Sequence, residues 1–113
     1  EHLIFDGTPR SLAEAHIIED ALVFYDRFNA EKFAKPKIVY LDVSHDWSVE
    51  RMHERGRIDD KTNEQIEIRM KWFETEVRLA IEFFKDNPRF EFIHIKGDRL
   101  ISEVSADIVK HIV

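Results

Sequence analysis

Two short, almost unbroken apolar runs, Pro36–Val43 and Phe90–Ile95, set the strongest limit on what this chain folds into. An apolar run of this length without a polar face reads as a strand of a parallel sheet covered on both sides. Pro36-Lys37-Ile38-Val39-Tyr40-Leu41-Asp42-Val43 is the clearer of the two, and Phe90-Glu91-Phe92-Ile93-His94-Ile95 alternates more. His2-Leu3-Ile4-Phe5 reads as the end of a third strand, stopped by Asp6-Gly7.

Helical spacing fills the intervals. Ser11 with Glu14 three residues later is a capping-box pattern, and Leu12, Ala15, Ile18, Leu22, Tyr25 and Phe28 then recur on one face. A short helix is predicted from Asp46 to about Glu54. A long one opens at Thr62 and carries Ile66, Met70, Phe73, Val77, Ala80, Ile81 and Phe84 by steps of three and four, ending before Asn87-Pro88. The last is predicted over residues 100–113, through Val104, Ile108 and Ile112. Strands alternating with helices predict an α/β fold with a parallel sheet and right-handed crossovers.

Composition removes several kinds of chemistry. With no cysteine there is no disulfide framework, thiolate metal site or cysteine nucleophile. The net charge of −6 has the wrong sign for a general nucleic-acid surface. No apolar run reaches the roughly 18 residues of a membrane-spanning helix. The expectation is a cytoplasmic monomer without nucleic-acid or membrane partners. The six histidines show no helical ligand spacing, and scattered structural histidines are expected.

An anionic ligand would then need clustered arginines. Arg51, Arg55, Arg57 and Arg69 fall within nineteen residues, with Asp59 and Asp60 placed to orient them. The same residues are open to a second reading, as a solvated face paired with Glu50, Glu54, Glu64 and Glu67. At the carboxyl end of the first strand, Gly7 permits close backbone approach, Pro9 stiffens the turn and Arg10 offers a fork suited to phosphate.

The ordered set Asp6-Gly7-x-Pro9-Arg10, Leu41-Asp42-Val43-Ser44, Arg51-x-x-x-Arg55-Gly56-Arg57-x-Asp59-Asp60 and Arg69 resembles the adenylate kinase and nucleoside-monophosphate kinase family. Ile95-Lys96-Gly97 and Ser102-Glu103-Val104 resemble its closing strand and helix, so the resemblance covers essentially the whole chain. It implies a partial P-loop-kinase core, a parallel sheet flanked by helices, with a very short lid turn at about residues 55–60. The implied reaction moves the γ-phosphoryl group of ATP, as its Mg2+ complex and without zinc, to a nucleoside monophosphate, with AMP expected. Gly7, Thr8, Pro9, Arg10, Glu14, Arg57 and Arg69 are implied at the AMP site, and Arg51, Arg55 and Arg99 at the ATP site. Arg55, Arg57 and Arg69 would act on the transferring group, Asp59 and Asp60 would support the lid, and Asp6 would help hold magnesium through water.

Three departures stand out against that pattern. Thr8 occupies the usual phenylalanine position, and Glu14 occupies that of a base-reading glutamine. Glu14 therefore has two readings open, closing the helix cap with Ser11 or facing the acceptor base. No G-x-x-x-x-G-K-[ST] loop occurs in the 113 residues, and the chain is expected to be the C-terminal part of one kinase domain. Rival readings are a CMP, UMP or GMP kinase on the same scaffold, or a non-catalytic nucleotide-binding domain.

Overall fold

The protein is described by a computed structural model covering residues 2–56 and 62–112. In chain order the elements are α1 (Leu12–Phe24), β1 (Lys37–Asp42), α2 (His45–Arg55), α3 (Asn63–Trp72), a π-helical turn (Phe73–Val77), α4 (Arg78–Lys85), β2 (Glu91–Lys96) and α5 (Ile101–Ile112). They form two compact units. One runs as far as Pro36 and includes Trp72 to Glu91; the other takes Lys37 to Lys71 and Phe92 onward.

In the first unit, α1 starts where its sequence calls for a cap. Ser11 is extended, at φ −154°, and its Oγ accepts the Glu14 N–H at 3.2 Å. The helix stops at Phe24 rather than continuing its apolar face to Phe28, because Asp26 turns left-handed at φ 56°. An aspartate tolerates that conformation when its carboxylate finds local donors. Asn29 Nδ2 donates to Asp26 at 3.1 Å, and this bond, ahead of Lys32, holds the carboxyl below its ordinary range. Tyr25, expected on the buried face, is exposed. Phe28, beyond the helix end, meets Phe90 edge-on at 5.3 Å, and Phe90 in turn meets Phe84 at 4.8 Å. Helix α1 packs on α4, and the core is Ala15, Ala80, Phe84 and Phe90. Asn87 donates to Glu19, tying the end of α4 to α1.

The second unit holds β1, α2 and α5, together with α3 short of its last residue and β2 short of its first. Glu91 N–H donates to Pro36 O, and Gly97 N–H donates to Asp42 O. The offset between partners is the same at both ends, which is the register of a parallel pair. Ile93 and Ile95 are buried with Ile66 and Met70. Alternate residues of the sheet, Tyr40, Asp42, His94 and Lys96, form a polar face on which His94 and Lys96 are exposed. The expected parallel sheet flanked by helices is present; burial within it is uneven, since Ile93 and Ile95 of β2 are buried while Leu41 of β1 is 45% exposed. At the close of β2, a β carbon on Gly97 would stand 2.8 Å from Val43 Cγ1, so any side chain there would force its neighbour to shift.

One expectation changes. Residues 2–5 form no strand, and Ile4 is 85% exposed. A strand is defined by a paired neighbour rather than by local propensity, and the described residues contain one pair, β1 with β2. The single long helix expected after Thr62 is present over residues 63–85, with the π-helical turn inside it. Such a turn inserts an extra residue and shifts the face that follows. Ile66 and Met70 are accordingly buried within one unit, and Ala80 and Phe84 within the other, while Phe73 is exposed.

Candidate functional site

The sequence motifs divide between the units, and each unit presents its own set. In the first, Gly7 adopts φ +82°, the left-handed conformation that glycine supports without strain. The Thr8–Pro9 peptide bond is cis. Arg10 lies back over this turn, its Nη2 3.6 Å from where a β carbon on Gly7 would stand. Asp6 and Arg10 are exposed, while Thr8 and Pro9 are half-buried. The loop meets α1 through Glu14, whose Oε1 accepts the Thr8 hydroxyl at 2.9 Å and whose Oε2 accepts the Ser11 hydroxyl at 3.3 Å. The structure therefore brings Gly7, Thr8, Pro9, Arg10 and Glu14 together around the start of one helix, where the Thr8 and Ser11 hydroxyls are taken up by the Glu14 carboxylate and the Arg10 guanidinium stays exposed.

In the second unit, Ser44 caps α2 by accepting the Trp47 N–H at 3.1 Å. Gly56 ends that helix in the left-handed conformation at φ 61°. Arg51 lies over the Trp47 ring at 5.1 Å, with Nη1 2.6 Å from Glu54 and Nη2 3.9 Å from Glu50. Arg55 is exposed one turn later, and Arg69 is half-buried on the last turn of α3. Arg57, Asp59 and Asp60, with most of the expected lid turn, lie outside the described residues. Arg99 donates from Nε and Nη2 to Lys96 O at 2.9 and 2.8 Å, and from Nη2 to Asp107 at 2.6 Å. That contact lowers the Asp107 carboxyl below its ordinary range. The guanidinium thus closes the end of β2 and fastens α5, leaving the Gly97–Arg99 backbone as the part that borders the strand end.

A chain with these motifs in this order has relatives. The adenylate kinase of Prochlorococcus marinus (strain AS9601) is 32% identical over 107 residues, which are 93% of this chain and 53% of the relative. The adenylate kinase of Mycolicibacterium smegmatis is 33% identical over 87 residues, 77% of this chain and 44% of the relative. By sequence the chain is related to adenylate kinases along nearly its whole length. The adenylate kinase of Campylobacter concisus extends the likeness to 95% of this chain at 29% identity. The chain spans about half the length of these curated relatives. No protein-family profile and no solved structure matches it.

What sequence reasoning missed is not a residue but a contact, the hydrogen bond from Thr8 to Glu14. Thr8 is noticed in the sequence as a substitution, yet a hydroxyl six residues before a carboxylate carries no periodic signal. Only the turn at Gly7 brings the two within hydrogen-bond distance. Among the described residues, no helix is long and apolar enough to cross a membrane.

Proposed function

We propose that this chain supplies the phosphate-holding residues of an adenylate-kinase-type phosphotransferase, which moves the γ-phosphoryl group of ATP, taken as its magnesium complex, to AMP. The observation that carries the reading is the Arg10 guanidinium lying over the left-handed Gly7 turn at the start of α1, in a chain related along 93% of its length to adenylate kinase.

Phosphoryl transfer asks a protein for position and charge neutralisation rather than covalent chemistry. In this reading Arg10 grips the phosphate of AMP, with the Gly7, Thr8 and Pro9 backbone lining its approach. Arg57 and Arg69 reach the phosphates of both nucleotides, and Arg51 and Arg55 contact those of ATP. Asp59 and Asp60 orient the arginines of the lid turn, and Asp6 helps hold the substrate magnesium through water. The backbone from Gly97 to Arg99 borders the adenine of ATP. A monomer in the cytoplasm is part of the same proposal.

The test joins this chain to the half of the Prochlorococcus marinus relative that it does not match, and follows ADP formation from ATP and AMP in a coupled assay. The joined enzyme should turn over, while the 113-residue chain alone should not, since no glycine-rich phosphate loop occurs in its sequence. Arg57→Ala should reduce kcat by roughly 10³–10⁵, the range for an arginine that follows charge onto the transferring group. Arg27, stacked over Phe33 at 4.4 Å and outside every motif, provides the control. An Arg57→Ala enzyme no slower than Arg27→Ala would exclude the lid role, and a joined enzyme without ADP formation would exclude the function.

A further inference from the structure

Three hydrogen bonds tie Thr8, Ser11 and Glu14 into one cluster that the phosphate contacts themselves do not require. The Glu14 carboxylate accepts Thr8 Oγ1–H on Oε1 at 2.9 Å and Ser11 Oγ–H on Oε2 at 3.3 Å, while the Glu14 N–H returns to Ser11 Oγ at 3.2 Å. An ordinary capping box involves the serine and the glutamate alone. Here Thr8, which precedes the helix by a whole turn of loop, takes one of the two carboxylate oxygens.

The consequence falls on the residues in between. Thr8 and Ser11 flank Pro9 and Arg10, so one carboxylate on the first turn of α1 accepts a hydrogen bond from each side of the dipeptide that carries the guanidinium. Pro9 has its φ fixed by its ring, which leaves little backbone freedom inside the closed segment. Gly7, just outside, is the permissive residue of the turn at φ +82°. Without an anchor on its C-terminal side, the loop would deliver Arg10 over a range of positions. Ordering a long cationic side chain on binding costs affinity, and a fixed attachment point removes part of that cost in advance.

We propose that Thr8 and Glu14 are positioning residues for Arg10: their hydrogen bond clamps the loop to α1 and pre-sets the guanidinium for the phosphate of a nucleoside monophosphate. The inference rests on Arg10 being that phosphate contact. It assigns Thr8 a task that a phenylalanine cannot perform, since an aromatic ring offers the carboxylate no donor.

The experiment uses the full 113-residue chain, nitrogen-15 labelled, with the Gly7 amide and the Arg10 Nε–H followed by NMR. In the nucleotide-free chain, Thr8→Val should shift and broaden both resonances, and Thr8→Ser should return them to their original positions. In an AMP titration, Thr8→Val should weaken binding about tenfold and Thr8→Ser should stay within about twofold, as expected for one hydrogen bond to a charged group. Helicity by far-ultraviolet circular dichroism should be unchanged in both. Wild-type affinity in Thr8→Val, with binding lost in Arg10→Ala, would overturn the clamp and leave the phosphate contact standing. A Thr8→Val loss accompanied by lower helicity, and not repaired by serine, would also overturn it by reducing the pair to a helix cap. Unchanged Arg10 resonances on addition of AMP to the wild-type chain would remove the phosphate contact, and the clamp's purpose with it.

Discussion

His94 Nε2 lies 2.8 Å from Asp42 Oδ2, although the two residues are 52 apart in the chain. The carboxylate can only accept, so the imidazole N–H donates to it and bridges β2 to β1. Lys96 Nζ stands 3.8 Å from the same oxygen, and the Tyr40 hydroxyl donates to Oδ1 at 3.5 Å. The Tyr40 ring also stacks on His94 at 5.3 Å. The hydrogen bond from His94, and after it the charge of Lys96, lowers the Asp42 carboxyl below its ordinary range, while burial first and Asp42 next push the Tyr40 hydroxyl up.

That arrangement fixes an acid limb of stability. A carboxyl whose folded value is depressed contributes stability above its unfolded value, about pH 4, and loses it as pH falls through the lower folded value. Asp42→Asn should therefore destabilise the chain at pH 7 by about 0.5–1 kcal/mol, the scale of a partly exposed charge pair. It should also flatten the fall in stability as pH drops below about 4. Urea melts of both proteins across that range check the point. Equal acid limbs would show that Asp42 makes no contribution.

Gly97 is predicted to resist any side chain. A β carbon there would meet Val43 Cγ1 at 2.8 Å, with Leu41 Cβ and the Asp42 carbonyl oxygen at 3.5 and 3.6 Å behind it. Gly97→Ala should cost about 1–3 kcal/mol, as overpacking does when neighbours must shift. Adding Val43→Ala should return part of the loss. A double-mutant cycle by chemical denaturation measures the coupling, and strictly additive effects would contradict the contact.

Phe84 is the aromatic centre of the first unit, 2% exposed, with Phe90 at 4.8 Å and Phe83 at 5.2 Å. Phe84→Ala should cost about 3–5 kcal/mol through lost transfer energy and the cavity left behind. The unit has little apolar burial to spare, since Phe24 on α1 is 80% exposed. Loss of the cooperative thermal transition is the expected outcome, and an intact one would show that Phe84 is replaceable.

Glu14→Gln addresses the acceptor. Both carboxylate oxygens already take hydroxyl donors from Thr8 and Ser11, which occupies the side chain in loop and cap contacts. In the joined enzyme, the substitution should leave the ranking of AMP, GMP and CMP by kcat/KM unchanged. A large selective gain for AMP would show that the carboxylate also meets the base, because a glutamine can donate to adenine N1 and a carboxylate cannot.

The sequence by itself determined what neighbours within a turn or two decide. Ser11 with Glu14 and Ser44 with the start of α2 mark helix beginnings, because a cap is a contact across three residues. The runs at Lys37–Asp42 and Glu91–Lys96 are strands because their side chains suit a pleated, half-buried surface. The relationship to adenylate kinases is legible too, since the order of short motifs is itself a property of the chain. Tertiary structure alone decided the rest. Leu3, Ile4 and Phe5 have strand character and no strand, because pairing is made by a neighbour and not by propensity. Helical periodicity predicts one long helix, and residues 63–85 are helical throughout, but the π-helical turn at Phe73–Val77 within them carries no sequence signal. The bonds from His94 to Asp42 and from Thr8 to Glu14 join residues that share no periodicity, and they exist only because strand register and the Gly7 turn bring a donor to a carboxylate.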